Sequence, residues 1–211
     1  MAEAAQTTRD RLLDAARELF TTAGYHATTT PILAGRAGVA EGTIYRHFPS
    51  KHALLNAAYQ DVQAWGLALV ETQLTGLGQA AERLAILGRS WLDLAERDPA
   101  RMRMLLGWRL PGELDEASVL AARAFHQGIE QLLAVGKQEG SVRAGVVELW
   151  ATVWLALVGL AVERITAREW TPRHPHALAT LEAAWEAIAW RPIALAPTEP
   201  PADDARPTGT D

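Results

Sequence analysis

Apolar residues recur along this chain at spacings of three and four, the period of a helix with one buried face. No segment alternates as a half-buried strand would. Leu12, Leu13, Ala16, Leu19 and Phe20 form one such face and predict a first helix over 8–23, stopped at Gly24. Two very short helices are expected over 31–37 and 41–47. Ser50, following Pro49, is placed to cap a long helix that runs to about Leu74. Further helices are expected over 78–97, 99–109, 114–138, 145–168 and 175–190. Asp98-Pro99, Leu110-Pro111-Gly112, Glu139-Gly140 and Thr171-Pro172 separate them. From Pro192 the chain is rich in Pro, Ala and Asp with little to bury, and reads as a flexible tail over 192–211. The expected fold class is all-α, with a small unit over 1–56 and a larger helical one over 57–191.

The stretch from Thr29 to Phe48 carries the most information. Thr30 is placed to accept from the free amides of the turn that follows, and Pro31 sits where helices tolerate proline best. Leu33, Ala34 and Ala37 give that helix an apolar face small enough for close crossing. Gly38 can adopt the positive φ that a tight turn demands, and Val39, Ile44 and Phe48 then fill the space between the helices. This order, small residue, glycine, buried aliphatic, is what a helix-turn-helix needs. An ordinary helical hairpin would not require so short a second helix. Nor would it turn Thr43, Arg46 and His47 outward with Lys51 at the next helix start, since those groups meet phosphates and base edges.

Charge sharpens that picture. The 211 residues carry a formal net charge of −5, yet residues 1–56 hold six basic side chains against five acidic ones. The acidic excess therefore lies beyond residue 56, and the N-terminal unit is the face left for a polyanion. The absence of cysteine excludes disulfides and thiolate zinc sites. No basic cluster followed by an apolar run opens the chain, so no signal peptide is expected and the expected location is cytoplasmic.

Leu12 through Phe20, then Gly24-Tyr25, then Thr28-Thr29-Thr30 resemble the opening of the tetracycline-repressor (TetR) family. So does the run from Ala37 to Lys51. The resemblance covers about the first quarter of the chain and implies a three-helix DNA-binding domain followed by a helical regulatory domain. It implies that Thr30, Thr43, Tyr45 and Lys51 grip the phosphate backbone, and that Glu41, Gly42, Arg46 and His47 lie on the face that reads bases. The chain departs from the usual pattern at Ala40, where a capping serine is common, and at Pro31 and Gly35.

All eight tryptophans lie beyond residue 56. Trp65, Trp91 and Trp108, joined by Met104, Phe125 and His126, are candidates for the wall of an effector pocket. Gly145 to Val162 is almost long enough to span a membrane, but Glu148 within it and Glu163-Arg164 closing it argue against spanning. A helix apolar on nearly every side must be covered all round, by its own subunit and by a twin. Trp150, Trp154 and Leu157 there, with Leu181, Trp185 and Ile188 on the last helix, are expected at a dimer interface. The resemblance implies the same pair of helices. Enzyme readings find little support: His174-Pro175-His176 lacks a completing ligand, and Gly76-Leu77-Gly78 follows no strand. No catalytic residue, metal or cofactor is expected. The expected partners are double-stranded DNA, a second copy of the chain, and a small apolar or aromatic effector that releases DNA. A constitutive DNA binder whose larger domain only dimerises, and a helical enzyme or carrier, stand as alternatives.

Overall fold

The computed structural model describes residues 7–107 and 112–190, so Trp108 and the tail from Pro192 lie outside the described residues. Among those residues the order is α1 (Thr8–Thr22), α2 (Thr30–Ala37), α3 (Glu41–His47), α4 (Lys51–Leu74), α5 (Ala80–Arg97) and α6 (Pro99–Met102). A π turn (Arg103–Gly107) follows, then α7 (Glu116–Gln138), α8 (Val147–Thr166) and α9 (Pro175–Ile188). Strand-like pairing among them is limited to one isolated antiparallel bridge, Val142 with Ala189.

Helix ends follow local chemistry. Thr7 accepts from the Asp10 amide at 3.1 Å while the Asp10 carboxylate accepts from the Thr7 amide at 3.2 Å, a reciprocal cap for α1. The Thr7 hydroxyl beside it holds the Asp10 carboxyl below the usual carboxylate range. Ser50 accepts from the Ala53 amide at 3.0 Å and starts α4, as its position after Pro49 predicts. The start of α5 is capped from a distance, because Glu139 accepts from the Ala80 amide at 2.8 Å and pairs with Arg83 at 3.0 Å.

One expected helix, 99–109, divides. Asp98 caps a single α turn by accepting from the Arg101 amide at 3.1 Å, and the backbone then widens into the π turn. The wider turn rotates Met104 and Leu105 into the core, where both are buried.

Helix α4 joins the two ends of the molecule. Its start lies against α1, and its length packs along α7. Two glycines set that second approach. A Cβ at Gly66 would lie 3.2 Å from Phe125 Cδ2 of α7 and 2.6 Å from Leu105 Cδ1 of the π turn, and one at Gly128 of α7 would lie 2.8 Å from Leu67 Cδ1 of α4. Arg17 of α1 is buried, which the pattern of α1 does not foretell. It donates to Asp61 of α4 at 2.9 Å and pairs with Asp14. Burial lowers the affinity of its guanidinium for the proton, as does the neighbouring Arg101, while Asp61, Asp98 and Asp10 oppose them.

Helix α8 is apolar enough to pass as a membrane span by length and composition, with mean hydropathy 1.5 over its best window. It is instead a core helix on one side: Ala151, Trp154, Val158, Ala161 and Val162 are buried within the subunit. Leu149 and Leu160 on its other side remain 52% and 39% exposed.

Asn56 ties α4 to the head of α7. Its Nδ2 donates to the carbonyls of His52 and Glu113 at 3.0 and 3.2 Å, and its Oδ1 accepts from the Asp115 amide and the Ser118 hydroxyl at 2.9 and 2.6 Å. Asn56→Ala leaves these groups without their partner in a site where Asn56 is only 2% exposed. The expected cost is about 2–3 kcal/mol, read as a fall in Tm of roughly 5–10 °C in calorimetry. A fall under about 1 °C would show that water serves those groups equally well.

Candidate nucleic-acid interface

Helices α2 and α3 cross through a turn built on Gly38, whose φ of 65° is left-handed. The Gly38 amide donates to the Gly35 carbonyl at 3.2 Å and the Val39 amide to the Ala34 carbonyl at 3.0 Å, closing the end of α2. Leu33, Ala34 and Ala37 are buried beneath, with Ile44 and Phe48 on the other side of the crossing. In α3 only Ile44 is buried. One anchor in seven residues leaves Glu41, Gly42, Tyr45, Arg46 and His47 exposed, with Tyr45 at 53% and Thr43 half-buried.

Thr30 does not cap α2. The cap position is Thr29, which makes no side-chain cap bond, and Thr30 is the first helical residue. Its hydroxyl instead donates to Glu41 Oε1 at 3.0 Å, joining the first turns of α2 and α3. That bond accounts for an acid on an outward face, and it helps a helix whose own cap, Ala40, supplies no side-chain bond.

The cations of this region divide sharply. Arg17 is buried and paired with two aspartates at the surface, and Arg36 pairs with Glu18. Arg11 donates to the Gly38 carbonyl at 3.4 Å, and Arg9 lies over the Phe48 ring at 5.4 Å. Lys51 is held most tightly: its ammonium donates to the carbonyls of Tyr25 and Thr28, both at 2.9 Å, and sits 4.2 Å from the centre of the Tyr25 ring. The half-buried Lys51 thus fastens the turn between α1 and α2 to the start of α4. Among the described residues Arg46 has neither a hydrogen-bond nor an ion-pair partner. A lone exposed guanidinium beside Tyr45 and His47 on a protruding helix is suited to contact phosphate or guanine.

The residues expected around an effector separate. Trp91 is fully buried against Phe125 and Trp154, at ring separations of 5.9 and 5.6 Å, and Met104 is equally enclosed. Trp65 lies under the Arg101 guanidinium at 5.0 Å. Phe125 and His126 line a hollow of about 450 Å³ between the π turn, α7 and α8. A second hollow, about 320 Å³, opens where the π turn and α8 meet Thr21 of α1. Sequence reasoning missed Thr21 and Gly159, because a half-buried threonine near a helix end and a helical glycine carry no signal of a cavity.

Of the residues expected between subunits, Trp154 and Ile188 are consumed by the subunit's own core. Each faces inward, so neither offers surface to a partner. Leu181 packs on α5, where a Cβ at Gly88 would lie 3.0 Å from its Cδ2, and the half-buried Trp185 lines a groove of about 540 Å³ between α5 and α9. Trp150 is half-buried and donates to the Ala144 carbonyl at 3.2 Å, and Leu157 is half-buried.

Residues 12–58 match the family model of bacterial regulatory proteins, tetR family. Over 138 residues, 65% of this chain and 70% of its own length, the nucleoid occlusion factor SlmA of Marinobacter nauticus is 31% identical. The chain belongs to the TetR family. The regulator UidR of Escherichia coli K12 is 37% identical over 73 residues, which is 35% of this chain and 37% of UidR. Among solved structures, FadR of Bacillus subtilis in complex with stearoyl-CoA has a TM-score of 0.69 at 22% identity, covering 83% of this chain and 95% of that one. A TetR-family protein from Rhodococcus RHA1 reaches 0.71 at 21% identity, covering 88% and 98%. These two likenesses establish the fold, all-α with an N-terminal helix-turn-helix. As a TetR-family protein the chain is a DNA-binding transcriptional regulator.

The division among cations sets a measurable contrast. Lys51→Ala removes two charged hydrogen bonds and a ring contact and should cost about 2 kcal/mol in urea unfolding. Arg46→Ala should cost less than about 0.5 kcal/mol. Equal costs would contradict the assignment of Lys51 to the fold and Arg46 to solvent.

Proposed function

We propose that this TetR-family protein is a homodimeric, cytoplasmic repressor that sets one α3 helix of each subunit into the major groove of an operator. On this reading it leaves the DNA when a small apolar or aromatic molecule enters the body. Residues 1–56 serve as the DNA-binding unit and 57–191 as the regulatory and dimerisation unit. The observation that carries the DNA role is Arg46, which has no hydrogen-bond or ion-pair partner among the described residues, on a helix whose one buried side chain is Ile44. Arg46, His47 and Gly42 meet base edges, while Thr43, Tyr45 and the remaining proton of Lys51 meet phosphate. Thr30 and Glu41 hold the two helices together and reach the duplex at its edge. In a dimer the exposed stripe of α8, Leu149 and Leu160, with Leu157 between them and Leu178 of α9 at 40% exposure, meets its twin. Effector response is supported by the hollows beside the π turn and by FadR, a structural relative solved with stearoyl-CoA.

A second reading follows from SlmA, the relative matched over the larger span, whose name assigns it to nucleoid occlusion. There the protein would act while bound to DNA rather than by leaving it. Selecting fragments of the organism's own genome separates the two. A repressor retains a few sites beside promoters, whereas a nucleoid-bound factor retains many scattered ones.

Log affinity for a retained fragment should fall linearly with log salt, with a slope of about −0.9 per phosphate neutralised. Arg46→Ala should cost about 1–3 kcal/mol on that fragment and much less on random DNA. A flat salt dependence would refute the phosphate grip, and equal losses on both DNAs would refute base reading by Arg46. Leu160→Glu should give monomers in sedimentation that keep their helix content yet bind the fragment weakly, because both half-sites must be engaged together. Dimers that persist at low concentration would place the interface elsewhere.

A further inference from the structure

An acid is an unusual neighbour for a polyanion, and Glu41 is the one acidic residue of α3. It opens that helix, and the opening residues of the second helix are those that a helix-turn-helix brings to base edges. Its side chain is exposed. Gly42 beside it carries no side chain, and a Cβ built there meets nothing within 4 Å, so the space next to the acid is open.

The acid is held from one side. The Thr30 hydroxyl, on the first residue of α2, donates to Glu41 Oε1 at 3.0 Å. Thr30 is half-buried and β-branched, which restricts the directions its hydroxyl can take. That bond uses the one proton of the hydroxyl, so Thr30 cannot donate to phosphate while it holds the acid. Among the described residues Oε2 accepts no hydrogen bond and no cation pairs with Glu41.

A carboxylate with one oxygen engaged offers the groove an acceptor and nothing else. Major-groove edges answer it unequally. Cytosine presents only its N4 amino donor, and adenine presents an N6 donor beside the N7 acceptor. Guanine presents O6 and N7, and thymine O4, all of them acceptors. Two acceptors brought together out of water, with no proton between them, are both left unsatisfied. Exclusion of guanine and thymine therefore needs no ideal contact, only proximity.

We propose that Glu41 is a specificity-determining residue that selects cytosine at one position of each operator half-site, and that Thr30 is the positioning residue that aims it. The inference rests on the DNA-binding reading above and adds the base that this side chain reads. Arg46, which can only donate, lies five residues further along the same helix. Acceptor and donor thus stand near opposite ends of α3, and each rejects the edges that the other admits.

The test measures binding of the full-length protein, by fluorescence anisotropy, to a genomic fragment that it retains, with each half-site position changed in turn to all four bases. At one position wild type should favour cytosine over guanine and thymine about tenfold. Glu41→Ala should bring the four bases there to within about twofold while leaving other positions as they were. Glu41→Gln keeps an oxygen for Thr30 and offers an amino group instead, so the preference should pass to a base that presents an acceptor. The same variant should bind random DNA more tightly, because a charge that repels phosphate is gone. Thr30→Val should reduce the cytosine preference at least about threefold, and Thr30→Ser, which keeps the hydroxyl, should retain it. Melting temperatures of the four variants verify that each folds.

Preferences unchanged at every position in both Glu41 variants would overturn the reading role and leave the acid as a tie between α2 and α3. A wild-type preference for guanine or thymine at the position these variants alter would overturn the acceptor chemistry. Full cytosine preference in Thr30→Val would overturn the positioning role. Binding without preference at any position would refute the operator reading itself, and the selection of cytosine with it.

Discussion

The contact that the rest of this structure depends on is the pairing of α1 with α4 through the buried Arg17, whose guanidinium meets Asp61 across the junction and Asp14 within its own helix. A guanidinium taken out of water must be paired, so the orientation of α1 on α4 is held by direction as well as by apolar packing. Both carboxylates keep their outer side in water, so the guanidinium is the one buried charge of the set, and losing Asp61 would leave it paired within α1 alone. Because α4 runs on for 24 residues and packs along α7, one continuous helix carries both the contact with α1 and the contact with α7. The close approaches at Gly66 and Gly128 make that packing intolerant of small shifts.

A mildly basic head on an acidic body uses its few cations sparingly. Most of those near α3 hold the fold: Lys51 closes the turn after α1, Arg36 pairs with Glu18, and Arg11 reaches the Gly38 carbonyl. This leaves Arg46 outward on a helix whose position the others determine. The same economy appears in Glu41, an acid close to the expected DNA face that is already engaged by Thr30. Charged contacts behind α3 therefore hold the turns on either side of it, while Arg46 on its outer face takes no part in them.

Local chemistry was legible in the sequence. Gly24, Gly38 and Ser50 placed helix ends to within a residue or two, because a positive φ or an N-cap is decided by immediate neighbours. Long-range partners were not. Nothing local says that Lys51 meets carbonyls 26 and 23 residues earlier, or that Thr30 reaches Glu41 instead of its own helix. Helix α8 shows a different limit: apolar residues on every side give no azimuth, so Trp154 reads as interface until its contact with Trp91 puts it in the core. The π turn had no signal at all, since Met104, Leu105 and Leu106 continue an α-helical pattern without a break. Large aromatics such as Trp91 suit a pocket wall and a filled core equally well, and only packing decided for the core.

Amide hydrogen exchange on the full-length protein, with and without a genomic fragment that it retains, tests the DNA-reading role of α3 most directly. The backbone of α3 is held by seven residues and one buried side chain, so its amides should exchange readily in the free protein. Bound DNA should protect Gly42 through His47 and the start of α4 while leaving α5 and α9 unchanged. Protection confined to the body, with α3 exchanging as fast as in the free protein, would contradict the role assigned to that helix.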